Sequence, residues 1–357
     1  MLQQPSYYPL TEFWLDQFSR TMIRSRELHN WMQKGFSGVT TNPSIFSRAI
    51  AQDLSYQEQI KSLKARSINA KTRYETLIIA DVQAACDLFH PLYQSSKYHT
   101  GYISVEIDPR LANRYQESLA EALRLYQLIR RPNVLIKIPA TQTGIALCQE
   151  LINRGINLNM TLIFSSEQAN AVQQAYYRGL KQRLTNKNKL HNIYLVASFF
   201  LSRLDNAVDQ KIPSHLQGKT ALAIAEHTYT CWQNFTLKHA ALTSTLHDAG
   251  AAKPRLLWAS TSVKDPHYPQ LMYVNHLAKA DTILTLPVET ANNWLKNQTQ
   301  ANNTKKKDVQ LSTTQADDYL NKIEALGIDL QQLATELQTK GVKQFVTAFN
   351  HILEQLT

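Results

Sequence analysis

Long hydrophobic runs are missing from this 357-residue chain. Nowhere do about 18 apolar residues follow one another, so no membrane-spanning helix is expected. The opening residues, Met1 to Tyr8, carry neither a basic start nor an apolar core, and a secretory leader is not expected either. Cysteine is scarce. Cys86, Cys148 and Cys231 are scattered, with no C-x-x-C pair and no even count to suggest a disulfide framework, which fits a reducing compartment and points to the cytoplasm. Clustered metal ligands are absent as well: the 11 histidines fall largely in helices and loops, away from ligand spacing, and no metal is expected. No internal repeat is visible.

Charge is present in surplus, with a net +10. A basic balance suits either nucleic acid or the concentration of a small anionic substrate. The only dense basic run is Lys305 to Lys307, inside a polar Asn/Gln-rich stretch that reads as a solvated loop, and neither zinc-finger spacing nor an aromatic RNA-binding motif accompanies it. The expectation is therefore an anionic small molecule, without nucleic acid or membrane. Hydrophobic residues make up 43% of the chain, enough for a sizeable core, and the length allows one large barrel or two smaller domains.

Short β-rich runs recur between helical patterns, at residues 13–15, 38–41, 102–107, 133–138, 158–164, 194–199, 255–259 and 282–286. Strands alternating with helices imply parallel pairing through right-handed crossovers, and eight such units close into an α/β (β/α)8 barrel of the TIM type. Helix signals fill the gaps. Pro109 opens a segment reaching residue 128, Ser165-Ser166-Glu167 precedes a helix over 169–184, and 214–246 is long enough for more than one helix. The stretch 57–89 is too long for a single connection. No linker interrupts the units, so one domain over 1–357 is expected, with a polar loop at about 291–315 and C-terminal helices over about 316–357. In the last of these, Val342, Phe345, Phe349, Ile352 and Leu353 share one face that should pack on the barrel.

One residue breaks the aliphatic pattern. Lys137 stands in NVLIKIPA (133–140), where its neighbours exclude charge. An ammonium there loses hydration, which favours the free amine that can attack a carbonyl. The ordinary alternative is a strand-end lysine whose stem packs while its head reaches water. Polar residues at the ends of the other strands weigh against that alternative. Asp16 follows the first; Thr40, Thr41 and Asn42 end the second; Glu106 and Asp108 end the third; Asn159 and Thr161 lie on the fifth. Ser198 and Arg203 close the sixth, and Ser260 with Lys264 follows the seventh. Singly, each is a good β-former or a structural salt-bridge partner. Converging from successive strands of a barrel, they form a site. The chemistry that fits is a Schiff base: the amine of Lys137 attacks a ketone, and the iminium becomes an electron sink for breaking the adjacent carbon–carbon bond. Glu106 and Thr161 are placed to supply proton transfers through a held water, Asp16 to take the proton from the hydroxyl, and Arg203 and Lys264 to meet a phosphate.

These segments together resemble transaldolase, in its longer bacterial subfamily within the class I Schiff-base aldolases. The match runs in order through WLD (14–16), GVTTNPSIF (38–46), SVEIDPRL (104–111), NVLIKIPAT (133–141), INLNMTLIFS (156–165), VASFFLSRLD (196–205), LWASTSVKDP (257–266) and TLP (285–287). The resemblance implies a circularly permuted barrel and transfer of a dihydroxyacetone unit between sugar phosphates, without metal or organic cofactor. Sedoheptulose 7-phosphate and glyceraldehyde 3-phosphate would give erythrose 4-phosphate and fructose 6-phosphate, a step of the non-oxidative pentose phosphate pathway. By motif it implies Lys137 as nucleophile, Asp16 as acid/base, and Glu106 with Thr161 as holders of the catalytic water. Asn42, Asn159 and Ser198 would bind hydroxyls, and Arg203, Ser260 and Lys264 the phosphate. Lys264 follows a longer turn than the arginine of shorter members. Aldolase relatives that release dihydroxyacetone carry Tyr where Phe200 stands, so Phe200 and Glu106 favour transfer over a fructose-6-phosphate aldolase-like lyase. A non-catalytic sugar-phosphate-binding protein would be expected to have lost Lys137, Asp16 or Glu106. Oligomeric state stays open, a homodimer among the options.

Overall fold

The computed structural model describes residues 11–300 and 311–357. Its strands are β1 (Glu12–Leu15), β2 (Phe36–Val39), β3 (Ile103–Glu106), β4 (Val134–Pro139), β5 (Leu158–Ile163), β6 (Leu195–Phe200), β7 (Arg255–Ala259) and β8 (Thr282–Leu286). Every neighbouring pair is parallel, and β1 returns to β8, so the sheet closes into the expected barrel in sequence order. All residues of β3, β4, β5, β6 and β8 are buried, as strands covered on both faces by crossover helices must be.

The helices are α1 (Arg20–Arg24), α2 (Glu27–Gln33), α3 (Pro43–Gln52), α4 (Gln57–Lys64), α5 (Ala70–Ser95), α6 (Tyr115–Ile129), α7 (Gln142–Asn153) and α8 (Ser166–Thr185). They continue with α9 (Ser202–Val208), α10 (Thr220–Lys238), α11 (Ala240–Asp248), α12 (Met272–Leu277), α13 (Val288–Gln300), α14 (Thr313–Ala325) and α15 (Leu330–Leu356). Among the described residues none is long and apolar enough to cross a membrane. Local chemistry sets their starts. Asn42 caps α3 by accepting from the Ile45 amide, with Pro43 in the first turn; Ser165 caps α8 through the Gln168 amide; Ser312 and Gln315 form a reciprocal capping box on α14.

Three expectations shift. The second strand ends at Val39 rather than residue 41: the Thr40 amide still bonds the Leu15 carbonyl at 2.8 Å, and beyond it the Thr41 hydroxyl donates to the Ser104 carbonyl at 2.7 Å as the chain turns toward the start of α3. Position 38 of that strand is glycine because a Cβ there would sit 2.6 Å from the Trp14 ring of the paired strand. Pro109 opens only a 3-10 turn, held by Asp108, whose carboxylate takes the Arg110 amide and pairs with the Arg110 guanidinium at 2.6 Å; the helix begins at Tyr115. The polar loop expected from residue 291 starts as helix α13, because Ala291 and Trp294 lie three apart, both buried, and the Trp294 ring stacks on Phe13 at 4.1 Å. Lys305 to Lys307 lie outside the described residues.

α15 runs over the C-terminal end of the barrel. Its buried face is Phe345, Phe349, Ile352 and Leu356, with Val342 and Leu353 half-buried beside it. Phe349 meets Tyr74 of α5 edge-on at 5.2 Å, and burying each such ring contributes about 2 kcal/mol. Gln338 fixes the crossing point by donating to the carbonyls of Ala140 (2.9 Å) and Leu162 (3.0 Å).

Candidate active site

The register across three neighbouring strands puts Glu106, Lys137 and Asn159 side by side. Lys137 is 4% exposed and donates to the Thr41 carbonyl at 2.8 Å, a bond made available by the turn that ends β2. On one side of it, both oxygens of the buried Glu106 carboxyl have no partner among the described residues; on β5, the Thr161 hydroxyl is equally unpartnered. A buried polar group without a protein partner is rare enough to need a reason. Asn159 is tied in. Its amide donates to the Ser104 hydroxyl at 2.9 Å and its carbonyl accepts from Ser198 at 2.6 Å, a chain linking β3, β5 and β6. Beyond Thr161, Leu162 takes a left-handed conformation (φ 58°) where the β5–β6 register slips, so β5 bends at the site.

A cavity of about 880 Å³ opens above Lys137 at the C-terminal ends of the strands, within the range of small-molecule sites. Asp16 enters it directly after β1, and the Thr40 hydroxyl lies 3.0 Å from its carboxylate and 2.9 Å from the Thr285 hydroxyl. Asn42 spends its carbonyl on the α3 cap, which leaves its amide for the cavity it lines. Phe200 ends β6, and the guanidinium of Arg203 lies over its ring at 5.2 Å while donating to Gln344 of α15 at 2.9 Å. Ser260 leaves β7 in a left-handed conformation (φ 57°), with its hydroxyl 2.8 Å from that of Ser202. Such strain in a non-glycine residue concentrates at functional sites. Lys264, exposed, and Arg48 of α3 complete the rim.

The electrostatics are those of a reaction centre. Burial pushes the Glu106 carboxyl up to about 7, with the charge of Lys137 opposing. Burial also raises Asp16, against the pull of Lys137, the Thr40 hydrogen bond and Arg203; burial in turn lowers Arg203, which Asp16 partly offsets. Carboxyls poised to hold and release protons around an enclosed amine are what imine formation and hydrolysis require.

A profile of the transaldolase/fructose-6-phosphate aldolase family matches residues 13–356. The chain belongs to that family. A transaldolase of Neisseria gonorrhoeae is 41% identical over 346 residues, spanning 97% of this chain and 96% of the relative. A transaldolase of Thiobacillus denitrificans is 39% identical over 351 residues, 96% of each chain, and transaldolase 2 of a Nostoc species is 36% identical over 362 residues, 96% of this chain and 93% of its own. Alignment over nearly the full length of both chains supports a transaldolase, a transferase, rather than a shared segment.

Of the residues singled out from the sequence, Asp16, Asn42, Lys137, Ser198, Phe200, Arg203, Ser260 and Lys264 line this family member's cavity. Glu106, Asn159 and Thr161 do not line it; they are buried residues of β3 and β5, the strands on either side of Lys137. Asp108 belongs to the Arg110 pair instead. Sequence reasoning missed Arg48, Gln52, Thr285 and Phe345, all on the cavity wall. A signal existed for the first two: Ile45, Arg48, Ala49 and Gln52 follow the Asn42 cap at helical spacing, and all face the cavity. Phe345 and Gln344 arrive from about 140 residues beyond Arg203, with nothing local to announce them.

Proposed function

We propose that the protein is a transaldolase that carries a dihydroxyacetone unit between sugar phosphates on a Schiff base at Lys137. The observation that carries this reading is the enclosed Lys137, with the unpartnered Glu106 carboxyl and Thr161 hydroxyl on the strands to either side. The amine attacks the donor ketone, and the carbinolamine loses water to give the iminium. Glu106 and Thr161 hold that water, the carboxyl trading a proton with it, a role suited to a group that titrates near 7. Asp16 takes the proton from the hydroxyl beyond the bond to be broken. The carbon–carbon pair then flows to the iminium, an aldehyde leaves, and the enamine waits for an acceptor aldehyde. Asn42 and Ser198 hold hydroxyls, with Asn159 bracing Ser198. Arg203, Ser260 and Lys264 hold the phosphate, the guanidinium giving paired hydrogen bonds that an ammonium cannot. Donors would be sedoheptulose 7-phosphate or fructose 6-phosphate, in the non-oxidative pentose phosphate pathway of a reducing cytoplasm.

Two measurements test this. Borohydride with fructose 6-phosphate should leave a three-carbon adduct on Lys137, and Lys137→Ala should lose both adduct and turnover; an unmodified wild-type chain would overturn the Schiff base. Fructose 6-phosphate consumption should depend on added erythrose 4-phosphate, whereas full consumption without the aldehyde would make the protein a lyase that releases dihydroxyacetone.

A further inference from the structure

Outside the cavity lining, on α10 and α14, a nucleophile stands beside a histidine and an aspartate. His227 and Cys231 are four residues apart on α10 and therefore share one face. Asp317 reaches them from α14, its Oδ1 2.7 Å from His227 Nδ1, while His227 Nε2 lies 3.4 Å from Cys231 Sγ. A carboxylate on Nδ1 fixes the tautomer that carries its proton there, which turns the Nε2 lone pair toward the thiol. A nucleophile within reach of a base that a third group orients is the arrangement by which a thiol is made reactive.

Access separates this cysteine from the other two. Cys86 and Cys148 are fully buried, and burial pushes both thiols up, away from the thiolate. Cys231 is half-buried at the surface, and the His227 and Asp317 side chains are 37% and 46% exposed. The three groups make no metal site: among the described residues no three His, Cys, Asp or Glu side chains converge as a ligand set. The set also bridges two helices, since Thr230 and Thr313 pair at 3.0 Å beside it.

We propose that Cys231 is a nucleophilic thiol, served by His227 and Asp317, that takes covalent modification from low-molecular-weight disulfides. The thiol proton passes to His227 Nε2, the sulfur attacks one sulfur of the disulfide RSSR, and the S–S bond breaks. The leaving thiolate recovers the proton from His227, so Cys231-SH and RSSR become Cys231-S-S-R and RSH with no net oxidation. Nothing in this step involves Lys137.

The test follows thiol release on the full-length native chain treated with a chromogenic aromatic disulfide, the adduct being located by peptide mass spectrometry. One thiol per chain should react in a fast phase, at Cys231, at least about tenfold faster than a cysteine in an unstructured peptide at the same pH. His227→Gln should slow that phase about tenfold and Asp317→Asn severalfold, while Cys231→Ser removes it and leaves sugar-phosphate turnover unchanged. A wild-type rate equal to the peptide's would overturn the proposal without recourse to any variant. So would a fast phase that maps to Cys86 or Cys148, or that persists unchanged in folded His227→Gln.

Discussion

Burial of the Glu106 carboxyl carries a cost that depends on pH. Its value rises from 4.5 in the open chain to about 7 in the fold. A group raised on folding gives stability that is whole below 4.5 and is lost as pH climbs to 7; above that, both states are ionised and a penalty of about 3 kcal/mol remains. Glu106→Gln should therefore raise the thermal midpoint at pH 8 more than at pH 5, by an amount below that figure because an amide is also costly to bury unpaired. Turnover should fall by at least about a hundredfold. A gain equal at both pH values would mean the carboxyl is not strained in the fold. Lys137, Glu106 and Thr161 were all legible in the sequence, since each is a polar residue inside an aliphatic strand. That Glu106 and Thr161 stand behind the cavity was not legible, because a strand shows which residues alternate and not how far a cavity reaches down between them.

At the scale of elements, α15 is placed by a missing side chain. Glycine inside a helix costs roughly 0.5–1 kcal/mol relative to alanine, so Gly341 must serve a close approach. A Cβ there would lie 2.8 Å from Leu162 and 3.3 Å from the Arg203 guanidinium. Gly341→Leu should lift α15 from the bent end of β5 and displace Arg203 from Phe200 and Gln344. The expected result is a loss of about 1–3 kcal/mol of stability from overpacking, with KM for fructose 6-phosphate raised severalfold and kcat changed less. Lost stability with an unchanged KM would make the helix a cover and nothing more. The eight strands could be read because each is a short aliphatic run bounded by turn residues. α13 could not, since Asn292 and Asn293 between Ala291 and Trp294 hide a buried face behind polar composition. The apolar face of α15 was visible, but the strand it meets was not, because that contact spans some 180 residues.

Over the whole molecule, a net charge of +10 meets a cavity whose rim gathers cations from three separate elements: Arg48 of α3, Arg203 of α9 and Lys264 after β7. Arg203 is hydrogen-bonded to the neutral Gln344 rather than to a carboxylate, which leaves its charge available. A concave site whose cations, Arg48, Lys137, Arg203 and Lys264, outnumber its carboxylates, Asp16 and Asp53, raises the local concentration of a phosphorylated sugar. Salt shortens the reach of that field from about 30 Å at 0.01 M to about 8 Å at 0.15 M. The kcat/KM for fructose 6-phosphate should fall roughly three- to tenfold between low and high concentrations of a weakly coordinating salt, while kcat stays nearly constant. Dihydroxyacetone transfer from an unphosphorylated ketose should show almost no such slope. Arg48→Ala should flatten the slope for the phosphorylated donor and leave trapping of the adduct on Lys137 intact, because Arg48 acts on the approach and the grip and not on the imine. Equal salt slopes for the two donors would mean that salt acts on the protein itself and not on attraction of the phosphate, and would overturn the part given to Arg48.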